Sequence, residues 1–120
     1  MIRRRQREKM GVRESSVIMS ESHKQWIRGC VCAIAGRNEH VCEGPVQAAH
    51  VRLGNHAGMS QKPGDDQTYP LCMRAHTEQH AIGERSFQTK YGFDALETAA
   101  RYWKASPARI RMERKKQCTP

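Results

Sequence analysis

The chain has 120 residues, 21 Lys and Arg against 12 Asp and Glu, and a hydrophobic fraction of 38%. This length fits one small domain with a modest core, a kind that often depends on disulfides or a bound metal for stability. No apolar run follows the charged start, and no stretch approaches the roughly 18 apolar residues of a membrane span. These features argue against a secretory signal and a membrane protein, so we expect a cytoplasmic protein with reduced cysteines.

The positive charge is concentrated at the two ends of the chain. Residues 1–14 hold six Lys and Arg against two acids, residues 101–120 hold seven against one, and all six histidines lie between these segments. Such ends are typical of a polyanion partner, most often nucleic acid, although a solubilising surface is the simpler alternative. We therefore predict phosphate contacts from the two ends, at Arg3, Arg4, Arg5, Arg7, Arg109 and Arg111.

The first predicted elements after the basic N-terminal arm (residues 1–19) are a helix, a loop and a strand. "SESHKQWIRG" predicts a short helix that Ser20 or Ser22 caps and Gly29 ends. Residues 30–44 interleave cysteines with Gly, Asn and Glu, which suits a loop tied by metal. "PVQAAHVRL" is the best strand candidate, in which Val46, Ala48 and His50 alternate with Gln47, Ala49 and Val51.

The later elements complete an α+β domain over residues 20–106. After a Gly-rich loop, "TYPLC" predicts a second strand, and the helix that follows it ends near Gly83. Another helix begins at Asp94, with an apolar stripe of Leu96, Ala99, Ala100 and Trp103. Residues 107–120 form a basic helix or tail that starts at Pro107. The predicted core is a ββα unit wrapped by helices.

Four cysteines have a spacing that favours structural zinc. Zinc takes four thiolate or imidazole ligands, usually from two chain segments, and the loop before the first strand and the end of the second strand supply Cys30, Cys32, Cys42 and Cys72. If Cys30 is not a ligand, His40 or His56 is the next candidate. The alternative is a set of incidental thiols, as we also interpret Cys118.

Three histidines predict a second site. His76 and His80 stand at i and i+4 on one helix, which suits a bidentate metal clamp. Thr77 follows the first of them, where metalloproteases carry Glu, so protease chemistry is disfavoured. In a ββα unit His50 faces this helix, either as a third ligand or as a general base.

Four motifs together resemble the HNH endonuclease superfamily. They are A-A-H-V-R at Ala48–Arg52, G-M-x-x-K-P-x-D at Gly58–Asp65, P-L-C at Pro70–Cys72 and H-x-x-x-H-x-x-G-E at His76–Glu84. With the upstream "HKQWIRGCVC", the likeness covers about residues 23–106 and is greatest to small phage-type proteins of the Ref-like and YbcO-like groups. It implies a zinc-stabilised ββα-metal fold in the 20–106 domain.

The resemblance also implies roles for individual residues. His50 matches the general base that activates water, and His76 and His80 match the histidines that hold a catalytic divalent cation such as Mg²⁺. Asp65 or Asp66 stands at the position of the motif's central Asn, and we assign Asp66 to catalysis and Asp65 to the cation. Two positively charged side chains beside the loop would hold the scissile phosphate, Arg52 and Lys62.

Two departures from the family pattern leave alternatives open. Ala75 replaces the second cysteine of a C-x-x-C-H helix start, so Cys30 would supply the missing thiolate. Ala49 precedes His50, where a metal-binding Asp or His is common, so His50 remains open as a ligand.

The sequence thus predicts a metal-dependent DNA endonuclease, located in a bacterial host cell if it is phage-encoded. We expect DNA as the partner, no membrane association and no small-molecule cofactor, and the sequence leaves the oligomeric state undetermined. One alternative is a zinc-stabilised nucleic-acid-binding module without catalysis. The other is a thiol-redox protein that uses Cys30 and Cys32, although C-x-C lacks the usual helix context that lowers a thiol pKa.

Overall fold

A computed structural model describes residues 17–53 and 63–118, with side chains up to residue 115. The predictions for Arg3, Arg4, Arg5, Arg7, His56, Lys62 and the side chain of Cys118 lie outside these described parts. The elements in chain order are α1 (Glu21–Arg28), a short 3-10 helix (Arg37–Glu39), β1 (Val46–His50), β2 (Thr68–Cys72), α2 (Met73–Ile82), α3 (Glu84–Tyr91), α4 (Ala95–Ala105) and α5 (Pro107–Cys118). The α+β prediction is confirmed, as is the order of strand, strand and helix.

The two strands form an antiparallel pair, and its register places His50 and Cys72 at opposite ends. Val46 pairs with Cys72 at one end, and His50 pairs with Thr68 at the other. Every residue of β2 is buried, because α1, α2 and α4 all pack against it. The loop before β1 also reaches this strand, where the Ala33 N–H donates to the Pro70 carbonyl at 2.8 Å. β2 is therefore the centre of the core.

The predicted caps of α1 and α4 are present. The Ser20 hydroxyl accepts from the His23 N–H at 3.1 Å, and α1 stops at Gly29. The Asp94 carboxylate accepts from the Glu97 N–H at 2.9 Å at the start of α4. Such a cap stabilises a helix end by about 1 kcal/mol, because it pairs an N–H group that has no partner within the helix.

The predicted apolar stripe of α4 is confirmed at Ala99 and wrong at Leu96 and Ala100. The buried residues are Ala95, Thr98 and Ala99, whereas Leu96 and Ala100 are exposed. The face that meets the core therefore begins at Ala95, one residue before the predicted stripe. Successive residues project about 100° apart around a helix, so this difference places Leu96 at the edge of the contact.

The sequence did not predict α3, an eight-residue helix directly after α2. It begins after Gly83, whose φ of 93° lies in a region that favours glycine. Phe87 and Tyr91, one turn apart, are its buried residues. Two apolar positions in a short polar segment give a weak periodic signal, so Gly83 indicated only the end of the preceding helix.

The basic helix α5 packs against α1 and α4 through a buried histidine contact. Nδ1 of His23, a fully buried side chain, lies 2.7 Å from Oγ of Ser106, which precedes α5. The His23 ring also meets the Trp103 ring edge-on at 4.9 Å between centroids. Burial lowers the pKa of His23, although Asp65 acts in the opposite direction. In the described part of the chain no helix has the length and apolarity needed to cross a membrane.

We expect His23 to make the fold less stable in mild acid. Its folded pKa lies below the ordinary 6.5, so the unfolded chain takes up a proton first as the pH falls. This contribution to the free energy of unfolding is complete above 6.5 and is lost below it, with a slope of at most about 1.4 kcal/mol per pH unit. Urea unfolding from pH 7 to 5 should show a smaller loss in His23→Leu than in the parent. Equal losses would show that His23 is not the titrating group.

Candidate functional site

A compact cluster of three cysteines and one histidine lies beside the start of α2. The ligand atoms of Cys32, His40, Cys42 and Cys72 all lie within 4.8 Å of one another. Nε2 of His40 is 3.5 Å from Sγ of Cys72. A tetrahedral zinc ion with bonds of about 2.0 Å to nitrogen and 2.3 Å to sulfur separates such atoms by about 3.5 Å. The cluster could therefore hold a metal ion, and its donors are consistent with structural zinc.

The ligands of this cluster come from two segments: the 30–44 loop supplies three of them and the end of β2 supplies the fourth. Cys32 lies shortly after α1, His40 and Cys42 lie between the 3-10 helix and β1, and Cys72 caps α2. The His40 ring also packs edge-on against Tyr91 of α3, at 5.7 Å between centroids. A bound ion would thus hold the 30–44 loop, the sheet and α2 together, in a chain whose core is small.

The thiols of the cluster differ in their readiness to ionise. Burial acts to raise the pKa of Cys72, but the backbone N–H groups of Glu43 and Ala75, with the neighbouring thiols, lower it overall. Burial and the adjacent Cys32 raise the pKa of Cys42 to about 12. Cys72 at the helix N-terminus therefore ionises more readily than Cys42, and a divalent cation would favour the thiolate form of both.

Cys30 lies outside this cluster, which corrects the predicted ligand set. Its thiol faces α1 and donates to the Trp26 carbonyl at 3.4 Å, because Cys30 follows directly on the helix end. His40, the reserve candidate, takes the fourth position. Burial raises the pKa of Cys30, the opposite of what a reactive thiol needs, and the four cysteines whose side chains are described are free.

His76 and His80 lie together on α2, as predicted. Their Nε2 atoms are 3.3 Å apart. Two imidazole nitrogens bound to one tetrahedral ion at about 2.0–2.1 Å are about 3.3–3.4 Å apart. The Oε1 atom of Gln47 on β1 lies 2.7 Å from Nδ1 of His76 and accepts its proton, which leaves Nε2 with a free lone pair. Burial, then the nearby His80 and His50, lowers the pKa of His76 and so favours this neutral form.

His50, at the end of β1, pairs with Asp65. Nε2 of His50 is 3.0 Å from Oδ1 of Asp65, a carboxylate that is 4% exposed. The other carboxylate oxygen, Oδ2, accepts from the Ser20 N–H at 2.8 Å and lies 3.8 Å from Nζ of Lys24. Burial would raise the pKa of Asp65, but its hydrogen bonds to His50 and Ser20 and the Lys24 charge lower it overall. The ionised Asp65 only accepts, so Nε2 of neutral His50 carries the proton.

The two aspartates occupy places other than those assigned from the resemblance. Asp65 contacts His50 and the start of α1 rather than joining His76 and His80. Asp66 is half-buried, and burial, with some effect of Asp65, raises its pKa. The structure therefore gives the orienting position beside His50 to Asp65. Within residues 17–53 and 63–115, the tight Cys/His cluster is the one group of three or more potential ligands.

A cleft of about 330 Å³ joins the two histidine groups. Its described lining residues come from the end of β1, α2 and the start of α3: His50, Arg52, His76, Gln79, His80, Gly83 and Glu84. The Glu84 carboxylate accepts from the backbone N–H of Arg52 at 2.9 Å and of Leu53 at 3.2 Å. Glu84 thus fixes the segment after β1 and, with it, the wall of the cleft that carries the predicted Arg52.

Three further polar residues of the sites had no assigned role in the sequence analysis: Gln47, Gln79 and Glu84. Gln47 precedes His50 by three residues on β1, and strict alternation would place the two side chains on opposite faces, so the contact of Gln47 with His76 could not be predicted from the pattern. Gln79 is buried between the two histidines of its helix and donates from Nε2 to the Tyr69 hydroxyl at 3.0 Å. Glu84 belonged to the quoted motif, but its contact with β1 depends on the unpredicted α3.

The basic residues of α5 differ in their freedom to contact phosphate. Arg109 is already paired, since Nη1 lies 3.0 Å from Oε1 of Glu113 on the same helix and Nε donates to the Lys104 carbonyl at the end of α4. Arg111 is exposed. Of the two predicted phosphate contacts, Arg111 is therefore the more accessible.

Comparison of the chain with protein-family models, with curated proteins and with solved structures found no match.

Proposed function

We propose that this protein is a metal-dependent DNA endonuclease of the HNH type, which hydrolyses phosphodiester bonds in the cleft between β1 and α2. One observation carries the proposal. His50 with its buried Asp65 partner and the His76–His80 pair line the same cleft. This arrangement combines an oriented imidazole with two imidazole nitrogens at the spacing of metal ligands, which is what hydrolysis of a phosphodiester requires.

His76 and His80 would hold the catalytic cation. Gln47 supports the required tautomer of His76, and the lowered pKa of His76 keeps its nitrogen available at neutral pH. Two protein ligands leave coordination positions for water and a phosphate oxygen, as is usual for cations that act on phosphates. The bound cation supplies Lewis-acid stabilisation of the phosphate and of the leaving oxygen.

His50 would take the proton from the attacking water. Because Nε2 donates to Asp65, Nδ1 is the nitrogen with a free lone pair. The imidazolium that forms is stabilised by the ionised Asp65, which is held by Ser20 and Lys24. Arg52 on the rim of the cleft would pair with the non-bridging oxygens of the phosphate.

The cluster of Cys32, His40, Cys42 and Cys72 would hold a structural zinc ion. It lies at the Val46–Cys72 end of the hairpin, whereas His50 lies at the opposite end of β1. All four protein ligands of a tetrahedron come from the chain, as in closed structural sites. Its role would be to fix α2, and hence His76 and His80, relative to β1.

A second candidate is a zinc-stabilised DNA-binding module without catalysis. The observation in its favour is that the Cys/His cluster and the basic α5 exist independently of the cleft. The test is an assay of the zinc-loaded protein on plasmid and single-stranded DNA with Mg²⁺ or Mn²⁺. Binding with cation-dependent cleavage supports the nuclease, and binding without cleavage under every cation supports the module.

Asp65→Asn should show which of the two aspartates, Asp65 or Asp66, acts on His50. An asparagine can present either its oxygen or its NH₂ group to His50, so the tautomer of the imidazole is no longer fixed. We expect the cleavage rate to fall by as much as about 10⁴-fold, the loss that follows when the aspartate beside the histidine base of a serine-protease triad becomes asparagine. The pH profile of the rate should also shift, which a purely structural loss would not produce.

Asp66→Asn is the matched control for this experiment, because it makes the same change one residue away. We expect its cleavage rate to stay close to that of the parent. A larger loss in Asp66→Asn than in Asp65→Asn would instead support the assignment made from the resemblance. Thermal unfolding of both variants would show whether the contact of Asp65 with Ser20 contributes to the difference.

A further inference from the structure

A second cavity, of about 450 Å³, shares no lining residue with the histidine cleft. It lies between α1, the loop before the 3-10 helix and α4. Three aromatic residues, two arginines and four residues with smaller side chains line it: Trp26, Phe93, Tyr102, Arg37 and Arg101, with Cys30, Ala33, Thr98 and Ala105. None of these described lining residues is acidic.

The aromatic rings form a corner rather than a closed stack. The rings of Trp26 and Tyr102 meet at 63° with centroids 6.2 Å apart, and both side chains are half-buried. Phe93 is anchored in the core by edge-on contacts with Tyr69 and Phe87, at 5.7 and 5.9 Å between centroids. The apolar part of the cavity is therefore held by packing, with ring surface left accessible to a flat ligand.

The two arginines stand at different parts of this wall. Nη1 of Arg37 donates to the Gly92 carbonyl at 2.9 Å and lies 3.3 Å from the Tyr91 carbonyl, so its guanidinium is fixed beside Phe93. Arg101 is exposed on α4, next to Tyr102. Guanidinium groups pair with phosphate oxygens and also stack on planar rings. Aromatic rings beside phosphate-binding cations are the features that recognise an unpaired nucleotide.

The positive charge of the neighbouring helix α5 also favours a nucleotide ligand. The basic helix α5 packs against both α1 and α4, which supply Trp26, Arg101 and Tyr102 to the cavity. Arg111 and Arg114 are exposed on that helix, and the whole chain carries a formal charge of +9. A polyanion held by α5 would therefore pass close to the cavity.

We infer that this cavity binds an unstacked base of single-stranded DNA, with a flanking phosphate on Arg101 or Arg37. The inference rests on the proposed function, because it takes DNA as the ligand, and it adds a substrate feature. Bases stacked within a duplex cannot enter such a cavity. The preferred substrate would thus carry a single-stranded segment outside the cleft in which cleavage takes place.

The test is binding of labelled oligo(dT), about ten nucleotides long to match typical single-strand site sizes, by the zinc-loaded protein without added Mg²⁺. We expect binding to quench the fluorescence of Trp26, measured in Trp103→Phe, and to leave that of Trp103 largely unchanged, measured in Trp26→Phe. Trp26→Ala should weaken binding about 5- to 150-fold, the range for loss of one base–aromatic stack. A blunt duplex should show neither the quenching nor the dependence on Trp26.

Arg101→Gln and Lys104→Gln form a matched pair, since both remove one exposed positive charge from α4 and only Arg101 lines the cavity. We expect Arg101→Gln to weaken oligo(dT) binding more than Lys104→Gln, which keeps the test independent of any loss of stability in Trp26→Ala. Unchanged Trp26 fluorescence, with equal effects of the two glutamine variants, would overturn the inference. A peptide would then be the alternative ligand of the cavity. Trp26-dependent binding without any cleavage would support it while removing the proposed nuclease function.

Discussion

Replacing His50 with alanine is expected to lower the rate of DNA cleavage by about 10²–10⁴-fold, the usual contribution of a positioned general base. The imidazole is held by the buried Asp65, so no other described side chain is positioned in the same way to take the proton from water. Binding of DNA should change little, because most of its affinity comes from phosphate contacts elsewhere on the chain. Single-turnover cleavage and fluorescence anisotropy measure the two effects separately.

The same variant decides whether His50 is a base or a metal ligand. If His50 were a ligand, a higher concentration of Mg²⁺ or Mn²⁺ would restore the activity of His50→Ala, because its defect would be weaker cation binding. If it is the base, saturating cation leaves the loss unchanged. We expect the second result. Cleavage by His50→Ala at the rate of the parent would contradict both roles.

Cys72→Ser is expected to release the proposed structural zinc ion and unfold most of the protein. Binding of a structural zinc ion supplies about 10–16 kcal/mol in small zinc domains, comparable with or larger than the net stability of a typical domain, about 5–15 kcal/mol. Cys72 is the cysteine that connects β2, α2 and the cluster. Elemental analysis and circular dichroism of the purified variant would show the loss of metal and of helix.

Cys30→Ser is the control for this experiment, because it changes a half-buried cysteine two residues from the proposed ligand Cys32. We expect it to retain one tightly bound zinc ion and the stability of the parent. His40→Ala should lose or weaken metal binding. The opposite pattern, with zinc lost in Cys30→Ser and kept in His40→Ala, would instead support the ligand set of four cysteines predicted from the sequence.

Local signals in the sequence predicted the elements that position the sites. The Ser20 and Asp94 caps, the glycine after α1 and the alternating pattern of β1 each depend on a few neighbouring residues. The order of strand, strand and helix then follows, and with it the facing positions of His50 and the α2 histidines. These features are readable because hydrogen bonding and side-chain direction repeat with a fixed period.

The details that the sequence did not predict depend on contacts between distant segments. Asp65 rather than Asp66 faces His50 because the N-terminus of α1, 45 residues earlier, binds its second oxygen. His40 rather than Cys30 joins the cluster because Cys30 directly follows the Gly29 cap of α1 and its thiol donates to the Trp26 carbonyl. Spacing along the chain contains neither fact, since both depend on how α1 packs against the sheet.

The most direct measurement is cleavage of supercoiled plasmid and circular single-stranded DNA by folded, zinc-loaded protein with and without Mg²⁺ or Mn²⁺. The double variant His76→Ala/His80→Ala, with unchanged zinc content, is assayed in parallel. We predict that the parent cuts only when the cation is added and that the double variant does not cut. A parent that is folded and zinc-loaded but cuts no DNA with any cation, or a double variant that cuts as fast as the parent, would contradict the proposed nuclease.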